Sequence, residues 1–148
     1  MSTDYFVLFE STNVNSFTSE NLPGVNFLSV PPVRSVSYFI EDTAHQCGHN
    51  IISAMSFGVE DYFLDEEANK HFAEGRVKND NRSAYVVFHG VFTEVMIAMV
   101  LSSFIENNND PSDKLEAEGR LAFALKKFNV DVHITCLRWN LCQMLARN

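Results

Sequence analysis

The sequence is poor in the features that mark several large classes of protein. Its three cysteines, Cys47, Cys136 and Cys142, are an odd number and contain no C-x-x-C pair. That pattern argues against a disulfide framework and for a reducing compartment, with each thiol acting as a small buried hydrophobe in an apolar helical stretch. Basic residues are also scarce: 11 Lys and Arg stand against 19 Asp and Glu, for a net charge of −8. Phosphate binding needs a basic face, so nucleic acid is excluded as a main partner, and the acidity reads as solubility. No basic segment followed by a long apolar run occurs after Met1-Ser-Thr-Asp-Tyr5, so no signal peptide is expected. The longest apolar run, Val95 to Leu101, is too short to span a bilayer. These absences predict a soluble, cytoplasmic protein with no membrane partner.

What is present is enough for a core. The 148 residues are 46% hydrophobic and include 13 Phe, which predicts a folded chain and one domain over residues 1–148. No internal repeat and no linker divides it. Residues 1–32 read as a small β unit. Tyr5–Phe9 is short, aromatic and β-branched, as a buried strand should be. Ser11–Asn21 is polar and reads as a loop, Pro23-Gly24 as a turn, and Val25–Val30 as a second strand closed by Pro31-Pro32.

Residues 33–148 read as a four-helix core, making the fold class α+β and mainly helical. The first helix begins at Ser35 or Ser37, either of which can cap it, and ends near Gly58. Ile40, Ala44, Cys47, Ile51 and Met55 form its core stripe, beside a second stripe of Glu41, His45, His49 and Ile52. Gly48, in mid-helix, leaves room for another backbone or a ligand to approach between the histidines. Val59–Asp80 is acidic and aperiodic, with helix over Glu66–Glu74 at most. Ser83–Ile105 is apolar nearly all round and reads as the buried centre. Asp110-Pro111 with Asp113 is a strong helix start for a third helix to about Asn129. A fourth is expected from about Asp131 to Ala146.

Chemistry concentrates in Ala44-His-Gln-Cys-Gly-His-Asn50. Histidines four apart on a helix share a face, and two such imidazoles can bind one transition metal from a single element. Imidazole alone does not choose between iron, zinc and other metals. A third ligand can come from His89, Glu94 or Glu41. His89 shares a helix face with Tyr85, Phe92, Thr93 and Met96, whereas Glu94 lies about 140° away at ~100° per residue. His71 and His133 have no such context. Gln46 stands where zinc peptidases of the H-E-x-x-H type carry their general base, and an amide cannot take a proton at neutral pH. An iron-dependent oxygenase has no such requirement. Its dicarboxylate co-substrate needs a cation, for which Arg82 is the best placed, with Arg34 and Arg76 as alternatives.

The order of Leu22-Pro-Gly-Val-Asn-Phe-Leu-Ser29, then Ala44–Asn50, then Arg82 with Tyr85-Val-Val-Phe-His-Gly-Val-Phe92 resembles the H-E-x-x-H-motif peptide-modification proteins. Some of these are 2-oxoglutarate-dependent peptide β-hydroxylases. The resemblance spans about Leu22 to Leu101. It implies His45 and His49 as metal ligands, His89 as the histidine of the later motif and Arg82 as the arginine preceding it. Gln46 departs from the family's glutamate at a catalytic position. The expected function is therefore a metal-dependent peptide-modifying oxygenase using iron or zinc, with 2-oxoglutarate as co-substrate and Arg82 and Gln46 in the catalytic set. The alternatives are a non-catalytic binding protein on the same fold, with a peptide or partner protein as its ligand, and a zinc hydrolase with its base at Glu41 or Glu94. A homodimer is compatible with the aromatic composition.

Overall fold

The computed structural model describes residues 5–19, 21–30, 32, 34–55, 82 and 84–145, the side chains of 84, 85, 134 and 136–145 excepted. Within them the chain is α+β and mostly helical, with three strands and three helices. The strands are β1 (Tyr5–Phe9), β2 (Phe17–Thr18) and β3 (Val25–Ser29). The helices are α1 (Val36–Met55), α2 (Ala84–Asn107) and α3 (Pro111–Leu145). The helix considered over Glu66–Glu74, the expected cap at Gly58, His71 and Arg76 lie outside the described residues.

The sheet has the order β1-β3-β2. β1 runs parallel to β3, with Tyr5 beside Val25 and Phe9 beside Ser29, and β2 pairs antiparallel to β3. Leu22-Pro23-Gly24-Val25 is a tight turn closed by Val25 N–H donating to the Leu22 carbonyl at 3.1 Å. Gly24 has φ 83° there, a conformation suited to glycine after proline in a type II turn. Two strand expectations need correction. Tyr5–Leu8 are all exposed rather than buried, because β1 is an edge strand and the central place belongs to β3. The stretch read wholly as loop contributes β2, whose Phe17 stacks on Phe27 at 4.6 Å.

β3 turns Asn26 and Leu28 inward. Asn50 of α1 donates to Asn26 Oδ1 at 2.9 Å and to the Val25 carbonyl at 3.3 Å, and Asn26 donates to the Cys47 thiol at 3.8 Å. The sheet thus docks on α1 through satisfied polar contacts. Ser35 is the helix cap, its Oγ accepting from Tyr38 N–H at 3.2 Å; Ser37 is instead buried. The buried line of α1 runs through Ala44, Gly48 and Ile52, whereas Met55 is 61% exposed. The stripe is therefore rotated from the expected one toward the histidine side. The rotation follows from Gly48: a Cβ there would meet Thr93 Cγ2 at 3.1 Å and Thr93 Cα at 3.2 Å. The missing side chain lets α2 come into backbone contact with α1.

The expected third and fourth helices are one continuous α3 of 35 residues. Asn129-Val-Asp131 contains neither Pro nor Gly, and Asn and Asp in a helix interior are only about 0.7 kcal/mol worse than Ala. The start is as expected: Asp110 Oδ1 accepts from Ser112 N–H at 2.8 Å and Asp113 N–H at 3.0 Å. α2 and α3 form a hairpin across Asn108–Asp110, packed through residues buried at seven-residue intervals. These are Val87, Glu94 and Leu101 on α2 and Ala117, Ala124 and Asp131 on α3. Sevenfold spacing is the mark of a coiled-coil-like seam. Ala44 of α1 joins the core with Ile97, Leu101, Ala117 and Ala124, flanked by Ile40, Phe104, Ile105 and Leu121.

α2 is not buried all round: Val86, Val95, Met99 and Val100 are exposed. By length and mean hydropathy (1.7), Val86–Asn107 is long and apolar enough to cross a membrane, a test that a core helix also passes, and 33% of that window is buried in the fold. The short run noted in the sequence, Val95–Leu101, is a part of this longer apolar helix.

Glycine substitutions test this packing. Gly48→Ala should lower the unfolding midpoint, since overpacking of about 1–3 kcal/mol outweighs a propensity gain of about 1 kcal/mol. Gly119→Ala, where a Cβ meets nothing within 4 Å, should raise stability by up to about 1 kcal/mol. Urea titration of both variants checks the contrast.

Candidate metal centre

The close approach at Gly48 places the two histidines that flank it against α2. His45 Nε2 and His49 Nε2 lie 2.9 Å apart, and the His49 and His89 rings are centred 5.9 Å from each other. Two lone pairs that close repel unless a proton or a cation lies between them. Two imidazole nitrogens each about 2.1 Å from one metal would be about 3 Å apart at the ~90° angle of an octahedral ion and about 3.4 Å apart at the tetrahedral angle of zinc. The pair therefore suits either a shared N–H···N hydrogen bond or a common metal ion. Burial lowers the pKa of His45, helped by the nearby Lys127 charge. Burial, then His45, then Lys127 lower that of His49 to about 4. Both rings are neutral at pH 7, the state a ligand needs.

Two ion pairs with buried carboxylates lie between α2, its approach and α3. Arg82 sits just before α2 and grips Asp131 with both Nη atoms at 2.8 Å. This is the bidentate geometry that guanidinium favours. Asp131 is 1% exposed. Gly90 makes room for it, since a Cβ there would lie 3.3 Å from Asp131 Oδ2. One turn on, Glu94 is buried to 2% with Lys127 Nζ 2.9 Å from its Oε1. Burial raises the Glu94 pKa, against the lowering effect of the Lys127 hydrogen bond and charge. Thr93, the residue before it, closes against Gly48 and donates to the Gly90 carbonyl at 2.9 Å.

His45, His49 and His89 are thus brought together at the α1/α2 contact. Glu41 is engaged elsewhere: its Oε2 accepts from Arg120 Nη1 at 2.7 Å, tying α1 to α3. Arg120 also bonds Glu116 through Nε at 2.8 Å. Gln46 is buried in α1, and His133 is exposed. Among the described residues no three His, Cys, Asp or Glu side chains converge as a ready ligand set. The residues fit a metal through His45 and His49. As arranged they do not fit a dicarboxylate co-substrate at Arg82, because Asp131 fills its fork.

Asp131 and Lys127 escaped the sequence reading, Asp131 because it was taken for a helix start. The signal was present in the spacing: Asp131 continues the Ala117–Ala124 stripe, and Lys127 lies one turn before it. Comparisons with protein-family models, with curated proteins and with solved structures found no match.

Two predictions follow from the electrostatics. Both histidines are harder to protonate in the fold than in the open chain, so the unfolded chain binds more protons between about pH 6.5 and about pH 4. The metal-free protein should therefore lose stability as pH falls through that window and keep it above. His49→Gln should flatten that slope in urea titrations across the window. Arg82→Leu leaves the Asp131 charge buried and unpaired and should cost about 3 kcal/mol or more; Arg82→Leu with Asp131→Leu should recover much of it. Chemical denaturation of the single and double variants measures the difference.

Proposed function

We propose that this chain is a metal-dependent, peptide-modifying oxygenase-like domain in which His45 and His49 bind one iron or zinc ion. The observation that carries the reading is the 2.9 Å approach of two Nε2 atoms on neutral, part-buried rings. The resemblance to the H-E-x-x-H-motif peptide-modification proteins supports it by the order of motifs and supplies the substrate class. Bound iron would activate O2 as the oxidant, with 2-oxoglutarate giving two electrons as it is decarboxylated to succinate, so that one oxygen atom could hydroxylate a peptide carbon. His45 and His49 hold the ion, His89 lines the same contact, and Thr93 against Gly48 keeps the two ligand turns rigid. Gln46 can donate or accept a hydrogen bond but cannot serve as a base. Arg82 serves a co-substrate only if Asp131 releases it.

That last condition favours a second reading, a non-catalytic peptide-binding or partner protein on the same scaffold. In it the Arg82–Asp131 pair is purely structural. Zinc hydrolysis ranks behind both, because the two carboxylates that could replace the missing base are engaged by Arg120 and Lys127.

Elemental analysis of tag-free protein separates these readings. The oxygenase reading expects near-stoichiometric metal in the wild type, none in His45→Ala/His49→Ala, and 2-oxoglutarate turnover by the iron-loaded protein. Metal without turnover favours the binding protein. Absence of metal after anaerobic loading with iron or zinc sinks both enzyme readings.

A further inference from the structure

β1 lies at an edge of the sheet, and among the described residues no strand pairs with its outer side. Tyr5 N–H donates to the Gly24 carbonyl at 3.2 Å, and the Phe9 carbonyl accepts from Val30 N–H at 2.8 Å. Backbone groups of alternate residues in a strand point to the same neighbour. Tyr5, Val7 and Phe9 therefore bond to β3, and the N–H and C=O groups of Phe6 and Leu8 point outward. The edge offers two donors and two acceptors.

The side chains along this edge are as open as its backbone. Phe6 and Leu8 lie beside Asn26 and Leu28 of β3, on the face that meets α1. Asn26 and Leu28 are buried, yet Phe6 is 50% and Leu8 60% exposed, because α1 packs chiefly on β2 and β3. On the other face Tyr5 and Val7 are exposed as well. Proteins usually protect a strand edge with a charge, a proline or a bulge. Tyr-Phe-Val-Leu-Phe has neither charge nor proline, and its register with β3 runs without a bulge. A helix would cover one face of this edge, whereas an added strand uses the backbone and both faces.

Charge selects the occupant. Residues 1–33 contain Asp4, Glu10 and Glu20 and no Lys, Arg or His, and Glu10, directly after β1, is exposed. A second copy would bring like charge to like charge. Its contact would also be small: the exposed side chains of Tyr5–Leu8 present about 400 Å² per copy, half of the about 800 Å² that each partner gives to a standard interface. An extended peptide carrying Lys or Arg meets the edge with opposite charge, and a contact of this size suits a transient complex.

Extending the peptide reading above, we propose that the outer edge of β1 binds an extended, basic and apolar peptide segment as an added strand. Phe6 and Leu8 exchange backbone hydrogen bonds with it. Its side chains alternate between the Tyr5 and Val7 face and the Phe6 and Leu8 face, and a terminal Lys or Arg meets Glu10. Nothing in this contact requires a metal ion.

The test is fluorescence anisotropy of the full-length chain with labelled Lys-Val-Thr-Val-Tyr-Val-Lys. Two controls are the same peptide with Glu at both ends and the same peptide N-methylated at every internal amide. The proteins are the wild type, Leu8→Pro, Glu10→Lys and His45→Ala/His49→Ala, each with its melting temperature and sedimentation recorded. Leu8→Pro removes an outward N–H and no bond to β3. The basic peptide should bind the wild type and the histidine variant equally. Binding should weaken at least tenfold in Leu8→Pro and with either control peptide, and at least threefold in Glu10→Lys. No binding by the wild type overturns the proposal, as does equal binding of either control peptide. Unchanged binding by a folded Leu8→Pro does the same; if that variant fails to fold, the N-methylated peptide on the wild type decides. A wild-type dimer that Leu8→Pro disperses also overturns it and assigns the edge to a second copy. Peptide binding in a chain that takes up no metal removes the oxygenase reading and leaves this inference standing.

Discussion

Two carboxylates stand in the α2/α3 seam at positions that heptad spacing assigns to the core, and the rest of the structure depends on how they are neutralised. Glu94 takes its cation from Lys127 on the facing helix, and Asp131 takes its from Arg82 at the entrance to α2. Each pair crosses between segments far apart in the chain. A slip of α3 along α2 by one residue would leave both carboxylates buried without partners, at several kcal/mol each. Buried charge of this kind contributes less to stability than apolar packing would. What it fixes is register, as a polar residue does in a coiled-coil seam.

Register in that seam decides where α1 can rest. Thr93 and Gly90 lie on the part of α2 that the ion pairs hold in place, and Thr93 is the surface onto which Gly48 closes. Because a helix backbone reaches another only where no side chain intervenes, Gly48 sets the depth of α1. His45 and His49, one on either side of it, are carried to His89. α1 is tied at two further points, through Arg120 to Glu41 and through Asn50 to the sheet. A small set of polar contacts therefore adds to the close packing at Gly48 in orienting α1.

A polar layer inside apolar helices has a chemical consequence as well. Burial keeps the histidines neutral, and the carboxyl of Glu94 is held at a raised pKa by the same burial that strengthens its ion pair. Low dielectric surroundings make every change of charge in this layer expensive.

The sequence by itself determined the class of the fold and the shared helix face of His45 and His49. Polar punctuation and residue period gave the Pro23-Gly24 turn, the Asp110 cap, the α1 and α2 helices and a small β unit at the N-terminus. The spacing of His45 and His49 gave a shared helix face, because that relation is local and follows from 3.6 residues per turn. Only the tertiary structure decided the remainder. Whether β1 is buried depends on what lies over it, and periodicity cannot report an edge. Asn129-Val-Asp131 looks like a break until Arg82 is seen to hold Asp131, and the helix then runs through. Glu41 and Glu94 were candidate third ligands and Arg82 the best-placed cation for a co-substrate until Arg120, Lys127 and Asp131 were seen to engage them. Helical period specifies which side chains share a face; which charges meet across faces is set by packing between segments distant in the chain.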